Sequence, residues 1–121
     1  GPIEVALVAL TVDANDFRLR HKTNDRAFYT EARNLAGTFE VALCDAQGFV
    51  TEGSFTNIFV KGEGALLTPP LSRGLLPGVL RAELLANGSA IEADLRPEEL
   101  ANGFFIGNAS RGLLPATLKT L

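Results

Sequence analysis

The stretch Thr51-Glu52-Gly53-Ser54-Phe55-Thr56-Asn57-Ile58-Phe59 decides the predicted fold, because one β-strand ends and the next begins within it. Phe49 to Thr51 completes a hairpin whose turn is Asp45-Ala46-Gln47-Gly48, and Thr56 to Lys61 opens a second hairpin. Glu52 therefore stands at a strand end, where its carboxylate can project into a cleft, and the glycine after it allows a ligand or backbone to come close. A strand-end carboxylate in water is the simpler alternative.

The rest of the pattern predicts a mixed α/β domain, rich in strands, with two hairpins and two principal helices. Predicted strands beyond the quoted stretch are 3–12, 39–44, 65–68, 91–95 and, as the final strand, 104–107. Predicted helices are 24–36, 78–87 and a short one at 97–101, with connections at 13–20 and from 69 to 77. No repeat or linker divides the chain, so one domain of 121 residues is expected.

Composition and charge argue against several classes of protein. The chain is 46% hydrophobic and 21% charged, which is an ordinary globular composition. Its net charge of -3 provides no basic face for nucleic acid. No run approaches the ~18 apolar residues of a membrane span, and no signal peptide is visible. The single cysteine, Cys44, cannot form an internal disulfide, which favours the cytoplasm, and its place in a strand predicts a buried, inert thiol.

Lysine supplies an amine for covalent chemistry, and the chain has three, Lys22, Lys61 and Lys119. Lys61 at a hairpin end and Lys119 in the tail are interpreted as solvated charges. Lys22 follows Arg20 and His21 between a polar loop and a predicted helix, and cationic neighbours favour a reactive free amine. A surface basic cluster is the alternative, and on spacing alone it is the commoner one. His21, the sole histidine, has neither the spacing of a hydrolase triad nor metal ligands near it in the sequence.

Two segments can hold an anion. Gly78 follows Pro77 and begins a predicted helix, so the amides of Val79 and Leu80 have no partners within the helix and can bind a phosphate. Gly107-Asn108-Ala109-Ser110 is a small polar loop that can meet the same anion. Many helices begin Pro-Gly with nothing bound, and the loop can equally be a plain turn.

Lys22, Glu52 and the helix that begins at Gly78 together match the needs of a pyridoxal 5′-phosphate site. A lysine amine forms a Schiff base with this cofactor, and a carboxylate keeps its pyridine nitrogen protonated. Helix amides take its phosphate. The hypothesis depends on whether these three features lie in one place.

Taken together, the motifs resemble the large domain of the class IV aminotransferases, which include branched-chain and D-amino-acid aminotransferases and aminodeoxychorismate lyase. The resemblance runs from about residue 20 to 116 and implies a mixed sheet that forms a pseudo-barrel flanked by helices. The motifs that carry it are His21-Lys22-Thr23, the stretch 51–59, Leu67-Thr68-Pro69-Pro70-Leu71, Leu75-Leu76-Pro77-Gly78-Val79-Leu80-Arg81, and Gly107-Asn108 with Arg111-Gly112-Leu113-Leu114-Pro115.

Within that family the chain is most similar to the lyase-like domain fused behind the synthase component of para-aminobenzoate synthase. Arg20-His21-Lys22-Thr23 ahead of Asp25-Arg26-Ala27-Phe28-Tyr29 favours this subgroup, as does the 111–115 motif. The resemblance implies a lyase that removes pyruvate from 4-amino-4-deoxychorismate to give 4-aminobenzoate. It also implies pyridoxal 5′-phosphate as cofactor, a small-molecule substrate and a homodimer.

The resemblance assigns roles to individual residues. It makes Lys22 the Schiff-base lysine and Glu52 the partner of the pyridine nitrogen. It gives the phosphate the amides of Val79 and Leu80, although many relatives have a threonine at Leu80. Asn108 falls where transaminases usually have a phosphate-binding threonine, and asparagine there is the lyase-like choice.

Two arginines bear on the substrate. Arg26 occupies the place where branched-chain enzymes have a tyrosine near the cofactor's phenolic oxygen, which argues against that transaminase activity. Arg111 is a candidate for binding a substrate carboxylate. A branched-chain or D-amino-acid transaminase remains the alternative enzyme, and a non-catalytic module that packs against a fused synthase is the alternative of another class.

The start of the chain predicts a fragment. It begins Gly1-Pro2 and contains no methionine. The family has a smaller N-terminal domain ahead of the lysine, and residues 1–21 cannot form it. Residues 1–121 are therefore expected to be the large C-terminal domain, which should fold but lack activity alone.

Overall fold

The computed structural model describes residues 2–9, 34 and 37–119. In these residues eight strands form one sheet, with one α-helix, Val79–Ala86, and two short 3₁₀ helices, Leu71–Arg73 and Pro97–Leu100. The strands are β1 (Ile3–Ala9), β2 (Glu40–Cys44), β3 (Val50–Gly53), β4 (Asn57–Lys61), β5 (Leu66–Thr68), β6 (Ala90–Glu92), β7 (Phe104–Asn108) and β8 (Gly112–Leu118).

The sheet is mixed and curls on itself. Its strand order is β3-β2-β1-β8-β7-β4-β5-β6, with β1 parallel to both β2 and β8, and β5 parallel to β6. β3 and β4 contact each other although they stand first and sixth in this order. On the side of β3 away from β2, the chain near Leu95 lies alongside the strand. The Leu95 carbonyl oxygen accepts a hydrogen bond from the Val50 amide at 2.8 Å. The predicted mixed α/β fold with a barrel-like sheet is confirmed.

One apolar cluster fills the interior of the curl. All six strands from β3 to β4 in the sheet order contribute to it at alternating positions, as the two-residue period of a strand requires. Its buried members are Val5, Ala42, Cys44, Val50, Ile58, Phe104, Ile106 and Ala116, with Leu95 and Leu100 from the segment after β6. Burial of each large apolar side chain stabilises the fold by about 1.5–3 kcal/mol.

Both predicted hairpins are present. In the β2–β3 turn the Asp45 carboxylate accepts the amides of Gln47 and Phe49 at 2.9 and 3.0 Å, and Gly48 has a φ of 86°. That left-handed conformation explains the glycine. β4 and β5 pair antiparallel across Gly62-Glu63-Gly64, as expected.

The structure corrects the prediction at the C-terminal end. β7 is not the final strand, because β8 follows it and pairs with both β7 and β1 in the middle of the sheet. Pro115 lies inside β8, and proline within a run argues against a central strand. The pairing of β8 with β1 covers Ala116 to Leu118 only, so Pro115 lies outside it.

Other boundaries differ by a few residues. The strand expected at 91–95 ends at Glu92, because the chain then turns so that Leu95 enters the core and bonds β3. The expected helices at 78–87 and 97–101 are the Val79–Ala86 helix and the 3₁₀ helix Pro97–Leu100. The predicted helix at 24–36 and the connection at 13–20 lie outside the described residues, apart from Asn34, which is helical. Within the described ranges, no helix is long and apolar enough to span a membrane.

Cys44 should resist thiol reagents while the protein is folded. The thiol is buried in the core cluster, and burial, with Asp45 beside it, raises its pKa to about 11. Because the thiolate is the reactive form, we expect modification by an aromatic disulfide at pH 8 to be about a hundredfold slower than in the chain unfolded by guanidinium. Equal rates in the two states would contradict the inert assignment.

Candidate active site

A cleft of about 320 Å³ opens at one end of the curled sheet. Three segments line it: residues 52–57, residues 76–79 and residues 108–110. The fold thus brings together Glu52, Val79 and Asn108, which lie far apart in the sequence. Lys22 and Arg26 lie outside the described residues, so their predicted roles stay predictions.

Glu52 is buried yet faces the cleft. It is 3% exposed, and its Oε1 accepts the amide hydrogen of Leu76 at 3.1 Å. A carboxylate that is held in place and shielded from water can form a strong charge-assisted bond with a cationic group in the cleft.

An irregularity in β3 determines the direction of this carboxylate. Opposite β2, Val50 pairs with Cys44 but Gly53 pairs with Ala42, so β3 contains one residue more than its partner. Ala42 and Cys44 both belong to the core, and their partners share that face. Glu52 precedes Gly53 and therefore points to the opposite face, toward the cleft. A bulge that redirects a side chain beside a functional site is a recurrent device.

The backbone of Leu76 is held at both its amide and its carbonyl group by the two ends of the 52–57 segment. Its amide donates to Glu52 as described, and its carbonyl oxygen accepts the Nδ2 of Asn57 at 3.1 Å. Asn57 is 5% exposed. These two bonds fix the segment that precedes the 79–86 helix against the end of β3 and the start of β4.

The 79–86 helix presents an uncapped N-terminus to the cleft. Gly78 is its N-cap, and within the part of the chain that the structure describes no side chain caps the first amides. Because those amides have no partners within a helix, they and the helix dipole form a site for an anion. Gly78 has an ordinary φ of -64°, so conformational freedom is not the reason for glycine there. A Cβ at this position would overlap Oδ1 of Asn57.

The amide of Leu80 is predicted to bind phosphate, and the side chain of Leu80 packs against β7 at Gly107. A Cβ on Gly107 would lie 2.9 Å from Cδ2 of Leu80 and 2.9 Å from the Gly112 carbonyl oxygen. The helix therefore approaches β7 closely through Leu80, and glycine at 107 makes that approach possible.

Asn108 connects the 108–110 segment of the cleft to the 52–57 segment. Its Nδ2 donates to the Phe55 carbonyl oxygen at 3.0 Å, and its Oδ1 accepts the Arg111 amide at 2.9 Å. The side chain thus fixes the turn between β7 and β8 to the 52–57 segment. Its predicted contact with phosphate stays a prediction.

Arg111 lies beside the cleft on two aromatic rings. Its guanidinium carbon is 5.1 Å from the centre of the Phe39 ring and 5.8 Å from that of Phe55. The rings pack edge to face at 5.4 Å. This cation–π contact orients an exposed guanidinium near the cleft, where the sequence predicted a group for a substrate carboxylate.

Arg73 holds the loop that carries Leu76. Its guanidinium bonds both carboxylate oxygens of Asp94, at 2.9 and 3.0 Å, and the side chain of Gln47 at 2.6 Å. It also lies 3.8 Å over the Phe49 ring. The bond from Arg73 lowers the pKa of Asp94. A lowered pKa means that the folded state favours the charged form of Asp94. The pair therefore stabilises the folded protein at neutral pH, and this stabilisation is lost as the pH falls through the lowered pKa.

The comparison with known proteins identifies the family. Residues 2–118 match the sequence profile described as Amino-transferase class IV. The chain belongs to the class IV aminotransferases. These enzymes use pyridoxal phosphate, and the resemblance drawn from the sequence is confirmed.

Named relatives within the class IV aminotransferases include both lyases and transaminases. The chain is 40% identical over 91 residues to a putative aminodeoxychorismate lyase of Schizosaccharomyces pombe, covering 69% of this chain and 39% of that protein. It is 30% identical over 90 residues to a probable branched-chain-amino-acid aminotransferase of Thermotoga maritima, covering 69% and 33%. The chain therefore spans well under half the length of these curated relatives.

Solved structures share the fold of this class IV aminotransferase chain. A putative amino-acid aminotransferase from Mesorhizobium loti superposes with a TM-score of 0.82 at 44% identity, over 94% of this chain and 59% of that one.

Reasoning from the sequence missed Asn57, which lines the cleft, and Glu40, which lies behind it and bonds residues 54–56. Asn57 stands in the quoted stretch, but its contact with Gly78 joins residues from different elements. Glu40 lies within an apolar strand run, and a charged residue there was the available signal.

Replacing Gly78 with alanine should disturb this class IV aminotransferase site. The added methyl would overlap Asn57, so we expect Gly78→Ala to lower the free energy of unfolding by about 1–3 kcal/mol, measured by urea denaturation. Asn57→Ala removes the obstacle, so the double variant should lose less stability than the sum of the single variants. Strict additivity would show that the two residues do not collide.

Proposed function

We propose that this chain is the cofactor-binding large domain of a pyridoxal-phosphate-dependent 4-amino-4-deoxychorismate lyase, which releases pyruvate and leaves 4-aminobenzoate. The observation that carries the proposal is that the Glu52 carboxylate and the uncapped end of the 79–86 helix line one cleft. The 40% identity to a putative aminodeoxychorismate lyase supports this reaction. Asn108, the lyase-like residue at its position, supports it too.

The residues present fit the cofactor. Pyridoxal phosphate is cationic at its protonated ring nitrogen and anionic at its phosphate, and the cleft offers a buried carboxylate and bare helix amides. Glu52 would hold the ring nitrogen, and the amides of Val79 and Leu80 would hold the phosphate.

The chemistry divides between cofactor and protein. When bound, pyridoxal phosphate supplies an electron sink that accepts the electron pair of a breaking substrate bond. Glu52 would keep that sink effective by holding the proton on the ring nitrogen. Lys22 would hold the cofactor and, when released, move a proton at its Nζ during pyruvate release. Arg111 would bind a substrate carboxylate at the edge of the cleft.

A transaminase is the second candidate. The 44% identity to a putative amino-acid aminotransferase and the 30% identity to a probable branched-chain enzyme favour it. The intact protein, loaded with pyridoxal phosphate, should be given 4-amino-4-deoxychorismate in one assay and branched-chain or D-amino acids with 2-oxoglutarate in another. Formation of 4-aminobenzoate and pyruvate supports the lyase, and formation of glutamate supports the transaminase.

A non-catalytic module would behave differently from both. Pyridoxal phosphate held by an enzyme of this kind gives a visible absorbance band. A protein that stays colourless after incubation with the cofactor and gel filtration would favour a packing role beside a fused synthase.

Lys22 should be the residue that reacts with the cofactor. After incubation with pyridoxal phosphate and reduction with borohydride, we expect peptide mapping to find the adduct on Lys22. Lys61 and Lys119 are exposed and act as internal controls for nonspecific labelling. A label spread over those two residues, with little on Lys22, would remove the assignment.

Glu52→Gln should slow turnover while the fold is kept. The amide can still accept the hydrogen bond from Leu76, but it cannot hold a proton on the ring nitrogen. A charge-assisted bond is worth about 1.5–3 kcal/mol, so we expect kcat for pyruvate release to fall at least about tenfold. Glu63→Gln makes the same change on an exposed turn and is the matched control. Unchanged turnover in Glu52→Gln would mean that another group holds the ring nitrogen.

A further inference from the structure

Glu40 is a fully buried carboxylate behind the residues 54–56 that line the cleft. Its exposure is 0%, and it accepts hydrogen bonds from three amides and two hydroxyls. Oε1 accepts the amide of Val41 at 2.8 Å and both the amide, at 2.8 Å, and the hydroxyl of Ser54. Oε2 accepts the Phe55 amide at 3.1 Å and the Thr56 hydroxyl at 2.8 Å.

These donors, apart from Val41, belong to the short turn between β3 and β4. In residues 2–9 and 37–119 no lysine or arginine forms an ion pair with Glu40. Among the described residues, the turn therefore supplies four of the five hydrogen bonds to the carboxylate. The packing at Gly53 has no room for a side chain, because a Cβ there would overlap Oε2 of Glu40 and the hydroxyl of Thr56.

The same turn connects the three segments that line the cleft, 52–57, 76–79 and 108–110. Glu52 and Asn57 flank it, and together they hold the backbone amide and carbonyl of Leu76, two residues before the N-cap of the helix. Its Phe55 carbonyl oxygen binds Asn108 of the β7–β8 turn. Glu40 itself does not line the cleft.

We propose that Glu40 is a positioning residue that sets the placement of the Glu52 carboxylate relative to the amides at the start of the 79–86 helix. It acts through the turn, since it bonds Ser54, Phe55 and Thr56, which line the cleft, and does not line the cleft itself. The proposal rests on the proposed function, because those two groups are the ones assigned to the ring nitrogen and the phosphate of pyridoxal phosphate.

Glu40→Gln is the sharpest variant because it keeps the size of the side chain. The glutamine side chain must place an NH₂ donor where one of the two carboxylate oxygens accepted hydrogen bonds from N–H and O–H groups. With the amide nitrogen at the Oε2 position, the Thr56 hydroxyl can reverse and accept, but the Phe55 amide cannot. Glu63→Gln, on the exposed β4–β5 turn, is the matched control.

The first measurement is amide hydrogen exchange of the intact protein without cofactor, under conditions in which each variant is folded. In Glu40→Gln we expect exchange to rise at least about tenfold at Phe55 and also at Leu76, whose amide bonds to Glu52. Ile106, in the core, should change only as far as global stability does. Acceleration confined to residues 41 and 54–56 would show a local role and overturn the proposal.

The second measurement is the affinity for pyridoxal phosphate, followed by its absorbance. We expect the Kd of Glu40→Gln to rise about tenfold over that of Glu63→Gln, with a shifted visible band. Equal affinities and spectra in the two variants would overturn the proposal. If the unmodified protein binds no pyridoxal phosphate, the proposed function fails, and hydrogen exchange at Leu76 still decides the role of Glu40.

Two variants that keep the Glu40 carboxylate provide the test if Glu40→Gln does not fold. Ser54→Ala and Thr56→Val each remove one hydroxyl donor and leave the backbone bonds to Glu40 in place. Each should accelerate exchange at Leu76 in the same direction as Glu40→Gln, by a smaller factor. No change at Leu76 in either variant would count against the proposal.

Discussion

The curl of the sheet follows from one short connection. β3 and β4 stand first and sixth in the sheet order, and Ser54 to Thr56 are the residues between them. In a flat sheet five strand spacings of about 4.8 Å would separate these strands by roughly 24 Å. The four steps from Gly53 to Asn57 can span at most about 14 Å. The sheet must therefore curl until its first and sixth strands meet, and this closure creates both an interior and a cleft.

The interior changes character from apolar to polar toward this connection. Most of its length is filled by the alternating residues of six strands. At the β3–β4 turn the amides of Ser54 and Phe55 lie outside the strand pairs, and the buried carboxylate of Glu40 accepts their hydrogen bonds. Unsatisfied buried amides would cost about 1–3 kcal/mol each, so a carboxylate with several acceptor positions suits the place. The same turn bonds Asn108 and so joins Glu40 to the segments that line the cleft.

The sequence predicted the local features and missed those that depend on closure. The hairpins were recoverable because turn chemistry at Asp45-Ala46-Gln47-Gly48 and Gly62-Glu63-Gly64 is local. Glu52 was recoverable as a strand-end acid within a specific motif. The extra residue that turns Glu52 outward depends on pairing with β2, and the central place of β8 depends on contact with β1, over one hundred residues away along the chain. Glu40 was missed because, of the five hydrogen bonds it accepts from described residues, four come from donors 14 to 16 residues away along the chain.

The two ends of the cleft carry opposite electrostatic character, and this limits what it can bind. A buried carboxylate stabilises a cation, whereas the uncapped start of a helix stabilises an anion. A ligand with one charge would gain at one end only. A ligand that is cationic at one end and anionic at the other gains at both, provided that its charges match the spacing of the groups. Since Leu76 is bonded to Glu52 and lies two residues before Gly78, that spacing is a property of the backbone between them. The selectivity of the cleft therefore resides in the bonds that hold this backbone as much as in the groups that face the ligand.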